Sequence, residues 1–477
     1  MQFKKGKLME KKMNNNLRKG LITIFSANII NLIFNILTNF LLPKYLSVEA
    51  YAKIKTFQLY TTYVGIFSLG YADGMYLRYG GKKIEDIDKS ELRVGMFSFR
   101  IMMIIESFII IPIAYLYGDM VILGFCFTIL SMNMTSYFKN LYQAVGEFKL
   151  YSKILNLTTI LTFLANMSLL FILNTDNYLL YLISYILVDT VIWLILEYNI
   201  KKLIKEKNEK VDFSFSIIYG DIKSGFTLMI GNFSNILLSS MDRWFVKIMM
   251  STSQFAYYSF AVTMEGFLNV AVTPITVTLY NYFCNYNNTE DVIRIRKYII
   301  IFASILISLA FPAKFVIEIY LTNYLEAINI LFILFAAQLI YIIIKGIYVN
   351  LYKATKQQNK YFRKLFLILI IGAILNYLFV KIYPHKEAFA YGTLLSSCIW
   401  LVFSIYDFKK YKFTINELIY IGTEILAFII LGINFNSILG LIIYIIVTLV
   451  MMGILIRKES KELLEIAINS CKKSKNK

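Results

Sequence analysis

The residues of this sequence that could take part in chemistry are polar side chains spaced along otherwise apolar segments. One set consists of asparagines separated by three, four and four residues: Asn28, Asn31, Asn35 and Asn39. A second set is separated by three, four and three residues: Asn232, Asn235, Ser239 and Asp242. Either spacing places its members on one face of a helix. Because an amide facing lipid would cost several kcal/mol, each stripe should line a water-filled cavity or else join packed helices by hydrogen bonds.

Acidic residues also lie several positions inside apolar segments, where charges are rare: Glu106, Asp189, Glu265 and Glu424. An acid at the centre of a bilayer costs on the order of 3 kcal/mol, so each should face inward, be paired or be protonated. We take Glu265, Asp189 and Glu106 as candidates for coupling to an H+ or Na+ gradient, with structural pairing as the alternative. Glu265 is favoured because Pro274 follows in the same predicted helix and can break it to form a site.

Three basic residues are candidates for binding an anion. Arg78 ends the second apolar segment, Arg243 follows Asp242, and Lys345 lies near the end of the tenth segment. A guanidinium group binds phosphate oxygens in pairs and an ammonium group adds a point charge, so these residues could hold a phosphate-bearing ligand. The alternatives are that Arg78 and Lys345 extend toward lipid headgroups and that Arg243 pairs with Asp242.

The remaining composition argues against an enzyme. His385 is the single histidine, and the four cysteines form no C-x-x-C pair (Cys126, Cys284, Cys398 and Cys471). No G-x-x-x-x-G-K-[ST] loop for ATP occurs in the sequence. We therefore expect no catalytic residue, no metal and no resident cofactor, apart from a possible coupling ion.

The overall composition identifies the elements that must hold these residues. Of the 477 residues 58% are hydrophobic and 17% are charged, with a mean hydropathy of +0.62. Soluble domains have about a quarter charged residues, so the sequence predicts an all-α, polytopic membrane protein. Fourteen apolar segments are long enough to cross about 30 Å of hydrocarbon: 20–42, 56–77, 94–117, 120–142, 151–173, 178–198, 224–246, 255–280, 298–320, 327–349, 365–383, 387–408, 416–433 and 437–456.

The basic residues predict the orientation of these segments. Alternate connections, beginning with the N-terminus, contain 39 of the 49 Lys and Arg residues. By the positive-inside rule both termini lie in the cytoplasm, as an even number of spans also requires. Basic loops facing an anionic leaflet account for the net charge of +19. We therefore expect a multi-pass protein of the bacterial cytoplasmic (inner) membrane that binds membrane lipids and no nucleic acid.

A weak internal repeat appears at an offset of 204 residues. It pairs Asn28 and Asn31 with Asn232 and Asn235, and Ser47 and Ala52 with Ser251 and Ala256. The first segment would then match the seventh, giving two parallel six-helix lobes with a site where they meet. The predicted division is 1–198 for the N-terminal lobe, 199–223 for a basic linker, 224–412 for the C-terminal lobe, 413–457 for two extra helices and 458–477 for a basic tail.

Several short motifs occur in an order that resembles a known family. The residues Gly70–Gly74 followed by Arg78 are similar to an Asp-Gly…Arg segment of that family. The residues Tyr142–Ser152 are similar to the turn between its fourth and fifth helices. Asp242-Arg243 and then Ala256–Ala261 resemble the matching turn in the second half. Together they resemble bacterial polysaccharide exporters and Wzx-type flippases of the multidrug/oligosaccharidyl-lipid/polysaccharide (MOP) superfamily, over helices one to twelve.

The resemblance implies two six-helix lobes around a cavity, often with two extra helices. It also implies a flippase that moves undecaprenyl-diphosphate-linked oligosaccharide from the inner to the outer leaflet by alternating access, for O-antigen, lipopolysaccharide, capsule or similar polysaccharide biosynthesis. Polymerases or glycosyltransferases are possible partners. Arg78, Arg243 and Lys345 would then contact the diphosphate, and the asparagine stripes the sugar hydroxyls. The full set of substrate-binding candidates is Asn28, Asn31, Asn35, Asp73, Arg78, Asn232, Asn235, Asp242, Arg243 and Lys345.

Other functions remain open at this stage. A lipid II flippase or a multidrug exporter of the same superfamily would have the same helices, and the acids and tyrosines leave a cavity for cationic drugs possible. A membrane glycosyltransferase or polymerase belongs to a different class and usually has a large extracytoplasmic loop. Since the outward connections here are all short, the sequence argues against such an enzyme.

Overall fold

The computed structural model describes residues 29–203, 212–285, 288–463 and 465. Within these ranges the regular elements are helices, and no strand occurs among them. The predicted all-α class is therefore confirmed.

The described ranges contain eighteen α-helices, numbered in chain order. Their bounds are α1 Ile29–Tyr45, α2 Val48–Thr61, α3 Tyr71–Tyr79, α4 Lys89–Tyr117, α5 Met120–Ala144, α6 Phe148–Met167, α7 Tyr178–Leu203, α8 Phe215–Met249, α9 Thr252–Gly266, α10 Asn269–Asn285, α11 Thr289–Ile307, α12 Ala310–Tyr320, α13 Ile328–Ile343, α14 Val349–Ala354, α15 Gln358–Ile382, α16 Glu387–Asp407, α17 Ile415–Asn434 and α18 Ser437–Leu455. Short 3-10 turns cover Val64–Ser68, Ile84–Asp86, Thr322–Ala327 and Lys409–Tyr411, and π turns cover Ser168–Ile172 and Ile344–Tyr348.

The lengths and hydropathy of these helices make the chain a multi-pass membrane protein. Among the described residues ten helical segments are long and apolar enough to cross a bilayer, or eleven if α9 and the bent α10 form one span. The other three expected spans fall on α1, whose expected start lies outside the described residues, on the α2–α3 region, and on the long helix α8. The count of fourteen stays a prediction.

The second expected span differs from its predicted form. In place of one helix over 56–77 the chain forms α2, a 3-10 turn and α3, with Leu69 and Gly70 at φ of 50° and 87°. A side chain on Gly70 or Gly74 would overlap the backbone of α8 near Gly225 and Asp221. The break therefore accompanies a close approach of two backbones that glycine permits.

The chain divides into two compact units, Met1–Ile236 and Leu237–Lys477, with the boundary inside α8. In the N-terminal unit α5 packs against α2, α3, α4 and α7. In the C-terminal unit α13 packs against α9, α11, α16 and α17, and fourteen of its sixteen residues are buried. A helix that is apolar all round is expected to occupy such a central position.

Local structure recurs between the units at the offset of 204 residues. Ser47 caps the N-terminus of α2 by accepting from the Ala50 amide, and Ser251 caps α9 by accepting from the Gln254 amide. The central helix α13 maps onto residues 124–139, which lie within α5. These correspondences support the repeat, while the five-part division of the chain stays a prediction.

Candidate functional site

The C-terminal unit brings four of the predicted residues together: Asp242, Arg243, Glu265 and Lys345. Glu265 interacts electrostatically with the other three. They come from α8, α9 and the π turn that follows α13. We call this set the charged cluster.

Both acids of the charged cluster accept hydrogen bonds from uncharged groups. The Asp242 side chain is buried, and its oxygens accept from the Tyr258 hydroxyl at 2.8 Å and from the Arg243 backbone amide at 2.8 Å. Glu265 Oε1 accepts from the Gln338 side-chain amide. Each acid thus has a neutral donor, as buried carboxylates require.

The two cations of the charged cluster differ in what their side chains contact. In the described part of the chain, the buried Nε of Arg243 has no hydrogen-bond partner. Lys345 Nζ lies 5.6 Å from the centroid of the Tyr341 ring and interacts electrostatically with Glu265. Because a buried donor without a partner is costly, the arrangement favours an incoming ligand that supplies acceptors, such as a phosphate group.

The helices explain how these side chains meet. Gln338, Tyr341 and Lys345 are spaced by three and four residues, so they share one face of the helix formed by α13 and its continuation. Lys345 lies in the π turn, a distortion that often occurs at functional sites. The Asn350 side chain donates to the carbonyls of Gly346 at 3.0 Å and Thr276 at 2.8 Å, which ties this turn to α10.

The N-terminal unit places Arg78 differently. Its guanidinium group forms ion pairs with Asp221 of α8 and Glu91 of α4, so two acids offset its charge. Asp73, on the same helix α3, accepts from the Asn232 amide at 3.2 Å. The structure therefore places Asp73 in hydrogen-bonding contact with Asn232, one member of the second asparagine stripe.

Comparison with solved structures shows the fold. A chain titled lipid II flippase MurJ, inward closed conformation, matches with a TM-score of 0.59 and 15% identity, over 92% of this chain and 99% of that chain. An inward-facing multidrug resistance MATE family transporter of the MOP superfamily matches with a TM-score of 0.53 and 12% identity, over 83% and 95%. The chain shares the fold of these transporters. No protein-family model and no curated protein sequence matches it.

The residues of the two asparagine stripes differ in their exposure and in their hydrogen-bond partners. Asn28 lies outside the described residues. Asn31 has a buried Oδ1 without a hydrogen-bond partner among the described residues, whereas Asn35 is exposed. Asn39 accepts from the buried Lys55 ammonium group at 2.9 Å. Asn235 donates to the Gly231 carbonyl of its own helix at 2.9 Å.

The remaining acids lie at helix packing surfaces. Asp189 on α7 interacts electrostatically with Lys139 on α5, and Glu106 on α4 has a buried oxygen without a partner in the described ranges. Both belong to the N-terminal unit. Glu424 of α17 accepts from Thr448 of α18 at 2.9 Å. The coupling role of Asp189 and Glu106 stays a prediction.

Sequence reasoning missed Gln338, Tyr258 and Tyr341, which contact the charged cluster. Gln338 was recognisable in principle, because it is a polar residue in an apolar segment seven positions before Lys345, on the same helical face. The tyrosines gave no such signal, since the sequence contains 36 of them.

Proposed function

We propose that this protein is a flippase that moves undecaprenyl-diphosphate-linked oligosaccharide from the inner to the outer leaflet of the bacterial cytoplasmic membrane, for surface polysaccharide assembly. The polyprenyl tail of the substrate stays in lipid while the diphosphate and glycan cross by alternating access. Both termini lie in the cytoplasm, as the distribution of basic residues favours. No covalent bond is made or broken.

One observation carries the proposal: among the described residues the buried Nε of Arg243 has no hydrogen-bond partner, although two acids lie in the same cluster. Each acid has a neutral donor, from Tyr258 or Gln338. A diphosphate group supplies the acceptors that the cations lack. The fold supports the same conclusion, because one of the solved structures that share it is titled a lipid II flippase.

A hydrated, cationic path addresses the physical obstacle to flipping. Moving an ionised phosphate through hydrocarbon carries a desolvation penalty of many kcal/mol. Arginine and lysine side chains replace part of the lost hydration. The barrier then falls enough for the headgroup to cross while the tail follows in the membrane.

Translocation in proteoliposomes tests this function. Purified protein is reconstituted with a fluorescent undecaprenyl-diphosphate-linked oligosaccharide, and a membrane-impermeant quencher reports how much reaches the other leaflet. We expect flipping by the wild type and a loss of at least tenfold for the Arg243→Ala, Lys345→Ala double variant. If the wild type leaves the probe in its original leaflet, the proposed function is wrong.

Lys381 offers a matched control for Lys345. Its Nζ lies 5.6 Å from the Tyr377 ring, the same separation as Lys345 from Tyr341, and both pairs are spaced by four residues. Lys381 is exposed near the end of α15. Lys381→Ala should therefore leave flipping unchanged, which distinguishes the site from a general effect of positive charge.

Coupling to an H+ or Na+ gradient through Glu265, Asp189 or Glu106 is part of the proposal. These acids lie in helices that cross the membrane, where an acid needs a functional or structural reason. Imposed gradients of either ion should change the rate of flipping. Unchanged rates under both gradients would exclude coupling.

A multidrug exporter is the second candidate, favoured by the two acids of the charged cluster, Asp242 and Glu265. They could pair with a cationic drug, and a MATE family transporter shares the fold. Efflux of a cationic dye from the same proteoliposomes distinguishes this function. Flipping of lipid II in that assay would instead identify the peptidoglycan precursor as the substrate.

A further inference from the structure

We propose that Glu265 competes with the phosphate-bearing substrate for Arg243 and Lys345, and that Gln338 is a positioning residue that limits this competition. The inference rests on the proposed function, because it concerns how the same cluster binds and releases its ligand. The role of Gln338 follows from its contact with Glu265.

Gln338 is held in one place by its surroundings. Its side chain is 5% exposed, on the helix whose residues are almost all buried. A buried amide without a partner would be destabilising. Its Nε2 donates to Glu265 Oε1, so this contact ties the carboxylate of α9 to α13.

Glu265 lies among charges from several helices. The groups that interact with it are Asp242 and Arg243 on α8, Tyr258 on its own helix, Gln338 and Tyr341 on α13, and Lys345 in the π turn. Across the described residues no direct ion pair joins Glu265 to Lys345 or to Arg243. The carboxylate thus reduces the positive potential at both cations but leaves their N–H donors available.

This geometry sets up a competition between two anions. A phosphate group approaching Lys345 is attracted by the cations and repelled by Glu265, and both effects are strong where water is scarce. Without the amide of Gln338, the positively charged groups that interact with the Glu265 carboxylate are the same cations. Glu265 would then form a direct pair with Lys345 and exclude the phosphate.

The competition predicts effects of opposite sign. Glu265→Gln removes the competing charge, so it should tighten headgroup binding by about tenfold and slow turnover because release becomes harder. Gln338→Leu, close in size but unable to donate, should weaken binding by about fivefold to tenfold. In the Glu265→Gln background, Gln338→Leu should change affinity by less than about twofold.

The test measures binding of undecaprenyl diphosphate to the full chain in lipid nanodiscs, with undecaprenol as the uncharged reference. Flipping assays on the same four proteins separate KM from kcat, and thermal unfolding checks that each variant is folded. The expected result is a lower KM and lower kcat for Glu265→Gln. A purely structural role for Gln338 would instead weaken binding equally in both backgrounds.

Each other outcome overturns a defined part of the inference. Unchanged or weaker binding by Glu265→Gln excludes the competition, and this variant alone decides the point. If Gln338→Leu does not fold, Gln338→Met replaces it, and an equal effect of that variant in both backgrounds removes the role of Gln338. If the wild type binds undecaprenyl diphosphate no better than undecaprenol, the proposed function and the inference both fail.

Discussion

Two arginines of the C-terminal unit contrast in how their guanidinium groups are bonded. Arg296 of α11 is 0% exposed and forms four hydrogen bonds, two to the Glu417 carboxylate at 3.0 and 2.9 Å and two to the carbonyls of Tyr411 and Lys412. Its guanidinium carbon lies 4.0 Å from the centroid of the Phe413 ring. Arg243, by contrast, has a buried Nε without a partner among the described residues.

The difference separates a structural charge, Arg296, from Arg243, which we propose binds the ligand. Arg296 and Glu417 satisfy each other, and Glu417 also accepts from the backbone and hydroxyl of Thr414. This network connects α11 to the start of α17 and has little capacity for a ligand. At Arg243 the neighbouring acid is already bonded to Tyr258, so a donor stays available. Burial alone therefore does not mark a ligand-binding cation, and the unused Nε donor is what distinguishes Arg243 from Arg296.

The largest expected effect comes from breaking the Arg296 network. Arg296→Ala leaves the Glu417 carboxylate buried without its cation, which should destabilise the protein by about 3–5 kcal/mol. Thermal unfolding in detergent measures the loss. A combined Arg296→Met, Glu417→Leu variant should recover much of the stability, because apolar groups of similar size often replace a buried ion pair. If Arg296→Ala unfolded at the same temperature as the wild type, the stabilising role of Arg296 would be contradicted.

The fold was largely predictable because bilayer thickness constrains it directly. Each apolar segment had to be about 20 residues long, and helices such as α5 and α16 follow the predicted segments closely. The break at Leu69 and Gly70 was not predictable, because it depends on backbone contact with Gly225, about 155 positions later. Hydropathy contains no information on such a contact.

The partners of the charged residues were predicted less well than the helices, because they too depend on contacts between residues far apart in the sequence. A single sequence indicates which charges lie in apolar segments, as for Glu265 and Lys345, but it does not identify their partners. Arg296 falls in a basic connection by sequence, yet it is buried against Glu417, which lies 121 positions away. The sequence thus found candidate residues for the site, and the structure was needed to show which donors are already used.

Replacing Arg243 tests whether this arginine acts in flipping rather than in stability. Arg243→Ala should reduce flipping by roughly tenfold to a hundredfold, the range for losing one or two charge-assisted hydrogen bonds to a ligand. Its stability should change by less than about 1 kcal/mol, because no described partner of Nε is lost. Flipping is measured in proteoliposomes and stability by thermal unfolding, with the exposed Arg294→Ala as control. A large fall in stability without loss of flipping would reverse the assignment.

Arg78 of the N-terminal unit lies between these extremes. Its side chain is 22% exposed and pairs with both Asp221 and Glu91. By analogy with Arg296, Arg78→Ala should cost about 1–2 kcal/mol of stability, because partly exposed ion pairs contribute less than buried ones. Flipping per folded molecule should stay within about threefold of the wild type. A tenfold loss of flipping would show instead that Arg78 contacts the diphosphate, as its position in the sequence suggested.

Replacement by lysine distinguishes the two arginines by shape alone. Replacing either with lysine keeps the charge but removes the planar group that binds two acceptors at once. At Arg296 the paired contacts to Glu417 are lost inside the protein, so unfolding should become easier by about 1–3 kcal/mol. At Arg243 the lost contact is to the ligand, so stability should be unchanged and KM should rise by about threefold while kcat changes little. If Arg243→Lys and Arg243→Ala reduced flipping equally, the ligand would require the bidentate geometry rather than the charge. That result would narrow the identity of the ligand to a group with paired oxygens such as phosphate.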